Sequence, residues 1–161
     1  WGRLVSECPD SILWLLNPGD QMKAEILTLL APIRNRIYFA DSASVPDHLG
    51  RIKHANLFLD SFPYGAHTTA SDAIFNGIPI LAREGRSFQS RVAKSLMHFA
   101  GAGHLSAPSW EDFFEKGRQF YSEYPHADIT NMLLDFKRDR HPYNINWTRM
   151  EIERAFKQML A

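Results

Sequence analysis

The sequence predicts a doubly wound α/β domain, a parallel sheet with helices packed around it. Three observations predict it. Short apolar runs recur at residues 12–16, 37–40, 57–59 and 78–81, continuous rather than alternating, as in strands covered on both faces. Segments of helical spacing separate them. A chain of 161 residues, 45% of them apolar and 12% aromatic, can bury one core and is read as one domain over 1–161.

Taken in order, the first run, Ile12 to Leu16, is the first strand. Asp20 is placed to cap a helix carrying Met22, Ile26, Leu29 and Leu30. The second strand is the run from Ile37 to Ala40. Pro46 opens a short helix through His48, Ile52 and Ala55. After the third strand, Thr68 or Thr69 opens a helix that stops at Asn76-Gly77, a good C-terminal signal. The fourth strand precedes a helix over 90–100, closed by Gly101-Ala102-Gly103, and a short strand at 104–106 extends the sheet. Ser109-Trp110-Glu111-Asp112 reads as a capping box before Phe113, Phe114 and Phe120. A further helix covers 129–138. Beyond the breaker His141-Pro142, a last helix over 147–160 places Ile152, Ala155, Phe156, Met159 and Leu160 on one stripe, which is expected to be core.

Composition narrows the function. Lys+Arg and Asp+Glu are both 18, so no net field gathers polyanions and nucleic acid is not an expected partner. The single cysteine, Cys8, excludes an internal disulfide and a cysteine-based metal cluster. No apolar run approaches the ~20 residues of a membrane span. The start, Trp1-Gly2-Arg3, is not a signal peptide; it is read as the edge of a longer or trimmed chain, with the cytoplasm as compartment. The seven histidines show no metal-ligand spacing and no Asp-x-Asp occurs, so no metal is expected.

The informative segment is 60–77. It runs from a strand end into a helix start, where open α/β sheets bind ligands. Pro63 and Gly65 allow a tight path, and His67, Thr68, Thr69 and Ser71 can all donate hydrogen bonds. The first N–H groups of a helix lack internal partners and carry the positive end of its dipole. A diphosphate would accept from them and from the Thr68 and Thr69 hydroxyls. Asp72, repulsive to phosphate, suits a ribose. The same residues permit a simpler reading, because Thr69-x-x-Asp72 is also a capping box. The loop is neither a Walker A nor a Gly-x-Gly-x-x-Gly sequence. On local chemistry both readings stand.

The block Leu59-Asp60-Ser61-Phe62-Pro63-Tyr64-Gly65-Ala66-His67-Thr68-Thr69-Ala70-Ser71-Asp72, then Gly77-Ile78-Pro79 and Gly85-Arg86-Ser87-Phe88-Gln89-Ser90-Arg91-Val92-Ala93, resembles the O-linked N-acetylglucosamine transferase family, which includes the SPINDLY-like and bacterial relatives. The resemblance runs over nearly the whole chain. It implies the C-terminal, Rossmann-like lobe of a GT-B fold, with extra C-terminal helices and the N-terminal lobe absent from this chain. The implied function is donor binding for a UDP-sugar-dependent, metal-independent glycosyltransferase that moves N-acetylglucosamine from UDP-GlcNAc to Ser or Thr of proteins. The donor is a substrate, and no cofactor is expected. By position, the resemblance assigns His67, Thr68 and Thr69 to the diphosphate and Asp72 to the ribose. It assigns Ala43, His48 and Arg51 to the base, in the similar loop Ala43-Ser44-Val45-Pro46-Asp47-His48. Two departures stand out: Gly65-Ala66 replaces the Asn-Gly common before His-Thr-Thr, and Val45 replaces a lysine. The protein acceptor and the leaving-group lysine are expected upstream of Trp1, so no catalytic residue is assigned and the isolated chain is expected to be inactive. A GT-B epimerase or phosphorylase lobe and a non-catalytic nucleotide-binding module are the alternatives.

Overall fold

A computed structural model of the chain describes residues 1–123, 126–139 and 144–160. The elements run α1 (Gly2–Glu7), β1 (Leu13–Leu16), α2 (Asp20–Leu29), β2 (Ile37–Ala40), α3 (Val45–Ile52), β3 (Phe58–Leu59), α4 (Thr68–Phe75), β4 (Ile80–Arg83), α5 (Val92–Phe99), β5 (Ser106–Ala107), α6 (Trp110–Ser122), α7 (His126–Asp139) and α8 (Ile145–Met159). Strands and helices alternate through β5, and every described strand pair is parallel. The α/β class therefore stands.

The sheet is in two pieces, β1-β2 and β3-β4-β5, rather than one ladder. Leu59 of β3 packs on the cluster of Val5, Leu13, Ile33 and Ile37, so side chains join the pieces where no ladder does. The central strand β4 behaves as a doubly covered strand should. Ile80 and Ala82 enter a cluster with Ala70, Ile74, Met97 and Leu133, while Leu81 enters another with Leu4, Ala107 and Phe113. Successive side chains leave opposite faces, and each face has helices over it. The first pair departs from that expectation: Trp14 and Tyr38, partners in the ladder, are exposed together with Leu16.

Helix ends follow local chemistry. The Ser44 hydroxyl caps α3, accepting the Asp47 N–H at 3.3 Å and donating to its carboxylate at 2.6 Å. Ser109 caps α6 in the same way through Asp112, the capping box expected there. The end of α4 is a Schellman closure. Gly77 has φ +76, its N–H reaches the Ile74 carbonyl at 2.9 Å, and the Ile78 N–H reaches Ala73 at 2.9 Å.

Several boundaries differ from expectation. Gly19, not Asp20, is the residue before α2, and no side chain caps that helix. Ser44 rather than Pro46 begins the turn into α3, which stops at Ile52. Ser90 lies before α5 and its hydroxyl donates to the Ser87 carbonyl at 2.9 Å. His104 and Leu105 form a 3-10 turn, and the strand begins at Ser106. The helix expected over 129–138 starts at His126, and α8 starts at Ile145. The stripe of α8 is not core: Ile152, Phe156, Met159 and Leu160 are exposed and no residue of this helix is buried. The His141-Pro142 breaker lies outside the described residues.

Candidate functional site

The segment from β3 to α4 is organised by one buried carboxylate. Asp60, 5% exposed, accepts the N–H of Ser61 at 2.8 Å and of Ala66 at 2.7 Å on the same oxygen, Oδ1. The six-residue span between those amides is thereby closed into a loop. Desolvation pushes the Asp60 carboxyl above its usual range, opposed by those two backbone bonds and by the charge of His67. The Trp1 indole N–H donates to the Asp60 carbonyl at 3.1 Å. The Phe62–Pro63 peptide within the loop is cis. A second loop, 84–91, is tied to the first where the Gly65 N–H donates to the Gln89 carbonyl at 3.1 Å.

This frame delivers the chain into α4 at His67. The first helical hydrogen bond runs from the Ser71 N–H to the His67 carbonyl at 3.1 Å, and no side chain caps the helix. The capping box open to Thr69 and Asp72 is therefore not formed. Both threonines already lie inside the helix, one and two residues beyond the N-cap, where a hydroxyl no longer reaches the end amides. Thr68 and Thr69 are exposed, and among the described residues neither hydroxyl has a partner. His67 is half-buried, and its Nε2 is buried without a hydrogen bond. Asp72 is half-buried, and its carboxylate likewise has no partner among the described residues. One helical turn thus brings together two exposed hydroxyls, a half-buried carboxylate and a buried imidazole nitrogen, none with a hydrogen-bond partner among the described residues.

The other expected segment lies at α3. Ala43 is exposed just before the cap, and His48 is half-buried in the first turn. Ile52, at the end of α3, shares a hydrophobic cluster with Ala66 and Ala70, so α3 and the start of α4 pack into one core region. Arg51 is engaged by the chain itself. Its guanidinium donates to the Asp41 carbonyl at 2.6 Å and sits 5.9 Å from the Trp14 ring centre. In this arrangement it holds the β2–α3 loop in shape.

Sequence reasoning missed two features here. The motif alone does not mark Asp60 as the loop's anchor; an acidic residue closing an apolar strand before Pro and Gly is the available signal. The aromatic side chains around His67 were not singled out. Tyr64 stacks on the imidazole, centroids 5.2 Å apart, and Phe88 meets it edge-on at 5.9 Å. Two recesses lie elsewhere: one of about 310 Å³ beside His104 and Lys116, another of about 330 Å³ beside Pro18 and Met22.

Comparison with known proteins gives a consistent picture. The family described as glycosyl transferase family 41 matches residues 1–132. The probable UDP-N-acetylglucosamine–peptide N-acetylglucosaminyltransferase SEC of Arabidopsis thaliana is 26% identical over 99% of this chain and 17% of its own length. The UDP-N-acetylglucosamine–peptide N-acetylglucosaminyltransferase of Caenorhabditis elegans is 28% identical over 70% of the chain and 10% of its own length. The chain thus spans less than a fifth of these relatives. A solved Thermobaculum terrenum O-GlcNAc transferase mutant superposes with a TM-score of 0.86 over 99% of this chain and 32% of that one, at 21% identity. The fold is shared with that structure.

Proposed function

Since this chain belongs to glycosyl transferase family 41, we propose that it is the donor-binding lobe of a UDP-sugar-dependent glycosyltransferase. The observation that carries the reading is the uncapped start of α4, where the Thr68 and Thr69 side chains are exposed and their hydroxyls have no partner among the described residues. A diphosphate accepts from these groups and from His67, and the helix dipole offsets part of its charge. Asp72, one turn along, accepts from the ribose hydroxyls. The uracil then extends toward Ala43 and His48, with Arg51 shaping the loop that holds it. Similarity to peptide N-acetylglucosaminyltransferases supports N-acetylglucosamine as the sugar and Ser or Thr of a protein as acceptor.

Catalysis in this reading needs a second lobe. The groups at α4 stabilise the departing diphosphate electrostatically, preorganised donors meeting a charge that grows in the transition state. The acceptor, its base and a leaving-group cation come from the other side of the cleft, outside these residues. The exposed apolar face of α8 suits a helix that packs on that lobe. No described helix is long and apolar enough to cross a membrane. Calorimetric titration of the chain with UDP tests the site. Saturable UDP binding, with inorganic phosphate and uridine each weaker, is expected. An absence of UDP binding at millimolar concentration would overturn the reading.

A further inference from the structure

The rings around His67 are exposed to a degree their chemistry does not favour. Tyr64 is 64% and Phe88 72% exposed, and both rings contact the same imidazole. Two exposed rings that converge on one imidazole form a local aromatic surface rather than scattered apolar side chains. These rings are also held, not loose. The Gly65–Gln89 backbone bond joins the two loops at the residues that follow Tyr64 and Phe88, and Asp60 fixes the first loop from beneath. The loops thus present a prebuilt pair of aromatic surfaces beside the first residue of the α4 entrance.

We propose that Tyr64 and Phe88 form an aromatic shelf for the hexose ring of the nucleotide sugar. The inference rests on the donor reading of α4. A hexose is joined through its anomeric oxygen to the outer phosphorus of the diphosphate, so it lies within one ring's width of the groups holding that phosphate. Tyr64 and Phe88 flank His67, which is that neighbourhood. A pyranose has a C–H face and a hydroxyl rim, and an aromatic face suits the first while leaving the second to polar partners. Neither ring carries a charge that would discriminate among phosphates. The shelf therefore acts on the sugar, not on the nucleotide. It favours sugars whose exposed face is a run of C–H bonds, and it orients the anomeric carbon by limiting tilt of the ring.

The test compares UDP with UDP-N-acetylglucosamine and UDP-glucose on the full 161-residue chain by calorimetry, for wild type, Tyr64→Ala, Tyr64→Phe, Phe88→Ala and Phe88→Leu. Both rings are largely exposed, so thermal unfolding should be little changed and confirms that each variant is folded. Either alanine variant is expected to leave the UDP Kd within twofold and to weaken both UDP-sugars roughly five- to tenfold. Tyr64→Phe retains wild-type affinity, because the ring and not the hydroxyl makes the contact. Phe88→Leu recovers only part. Equal loss of UDP and UDP-sugar in the alanine variants would show that the rings merely order His67, and unchanged affinity for all three ligands would show that nothing rests on them; either overturns the proposal while leaving the donor site in place. A wild-type chain that binds no UDP overturns both together.

Discussion

Single replacement of Thr68 and Thr69 by alanine distinguishes a ligand site from a helix cap at α4. In the structure neither hydroxyl has a partner among the described residues, both side chains are exposed, and no side chain caps this helix. Truncation therefore removes no intramolecular hydrogen bond, and the change in folding stability should stay within about 0.5 kcal/mol. Bound to a diphosphate, each hydroxyl donates to a charged oxygen. Such bonds contribute about 1.5–3 kcal/mol, roughly ten- to a hundredfold in Kd. UDP should weaken by that factor in each variant and uridine should not, because it has no phosphate. Asp72→Ala should behave differently, weakening uridine and UDP by the same ratio through the shared ribose. The assay is calorimetric titration of both ligands against the three variants, each first checked by thermal unfolding. Lowered melting temperatures with UDP affinity intact would mean that the hydroxyls serve the fold and that no anion sits at α4.

Three further outcomes follow from other parts of the site. Asp60→Asn keeps an oxygen to accept from Ser61 and Ala66 and removes the desolvated charge. Because burial raises the Asp60 pKa, its ionised form opposes folding; that penalty is absent below the unfolded pKa and grows as pH rises through the folded one. The Asn variant should therefore melt higher than wild type at pH 7, with the gap closing toward pH 4, whereas Asp60→Ala strands two amides and should lose about 1–3 kcal/mol for the buried one alone; an Asn variant less stable than wild type at pH 7 contradicts this. Gly85→Ala would put a Cβ 2.2 Å from Ser90 Oγ, so the 84–91 loop must shift, and a destabilisation of about 1–3 kcal/mol is expected in denaturant unfolding. Finally, UDP titrations in EDTA and in magnesium should agree; a tenfold difference, ~1.4 kcal/mol, would show that a cation neutralises the diphosphate.

Much of the fold was legible because its signals are local. Asn76-Gly77 marked the end of α4 through a left-handed glycine, and Ser109 with Asp112 marked the start of α6 through reciprocal hydrogen bonds. What could not be read depends on partners distant in sequence. The six residues of α1 have no side-chain cap, and the helix rests on Leu4 and Val5 packing into two different clusters. The apolar runs of β1 and β2 looked like β4, yet only β4 has helices over both faces; continuous hydrophobicity reports affinity for cover and not its presence. The same holds for α8, whose stripe was plain in the sequence and whose covering surface was not.

The candidate site was legible as residue types and ambiguous in register, and the register observed removes the capping reading. Elsewhere in this chain, helices closed by a side chain place the capping group immediately before the helix: Ser44 for α3, Ser109 for α6 and Asn144 for α8. In α4 that position is held by His67, whose side chain makes no cap bond, and the threonines follow it. A cap needs its oxygen at the N-cap position, folded back over the first amides. A bound anion needs the reverse, donors inside the first turn pointing outward with those amides left free. Shifting the threonine pair back by one residue would have served the cap; the observed register suits the proposed anion. The sequence shows the residues His-Thr-Thr but not where the helix begins among them. That boundary is fixed by Asp60, which sets the length of the loop, and by Ala70 and Ala73, whose complete burial sets which face of α4 turns inward. With those two constraints Thr68 and Thr69 are left on the solvent side, where the proposed diphosphate would reach them.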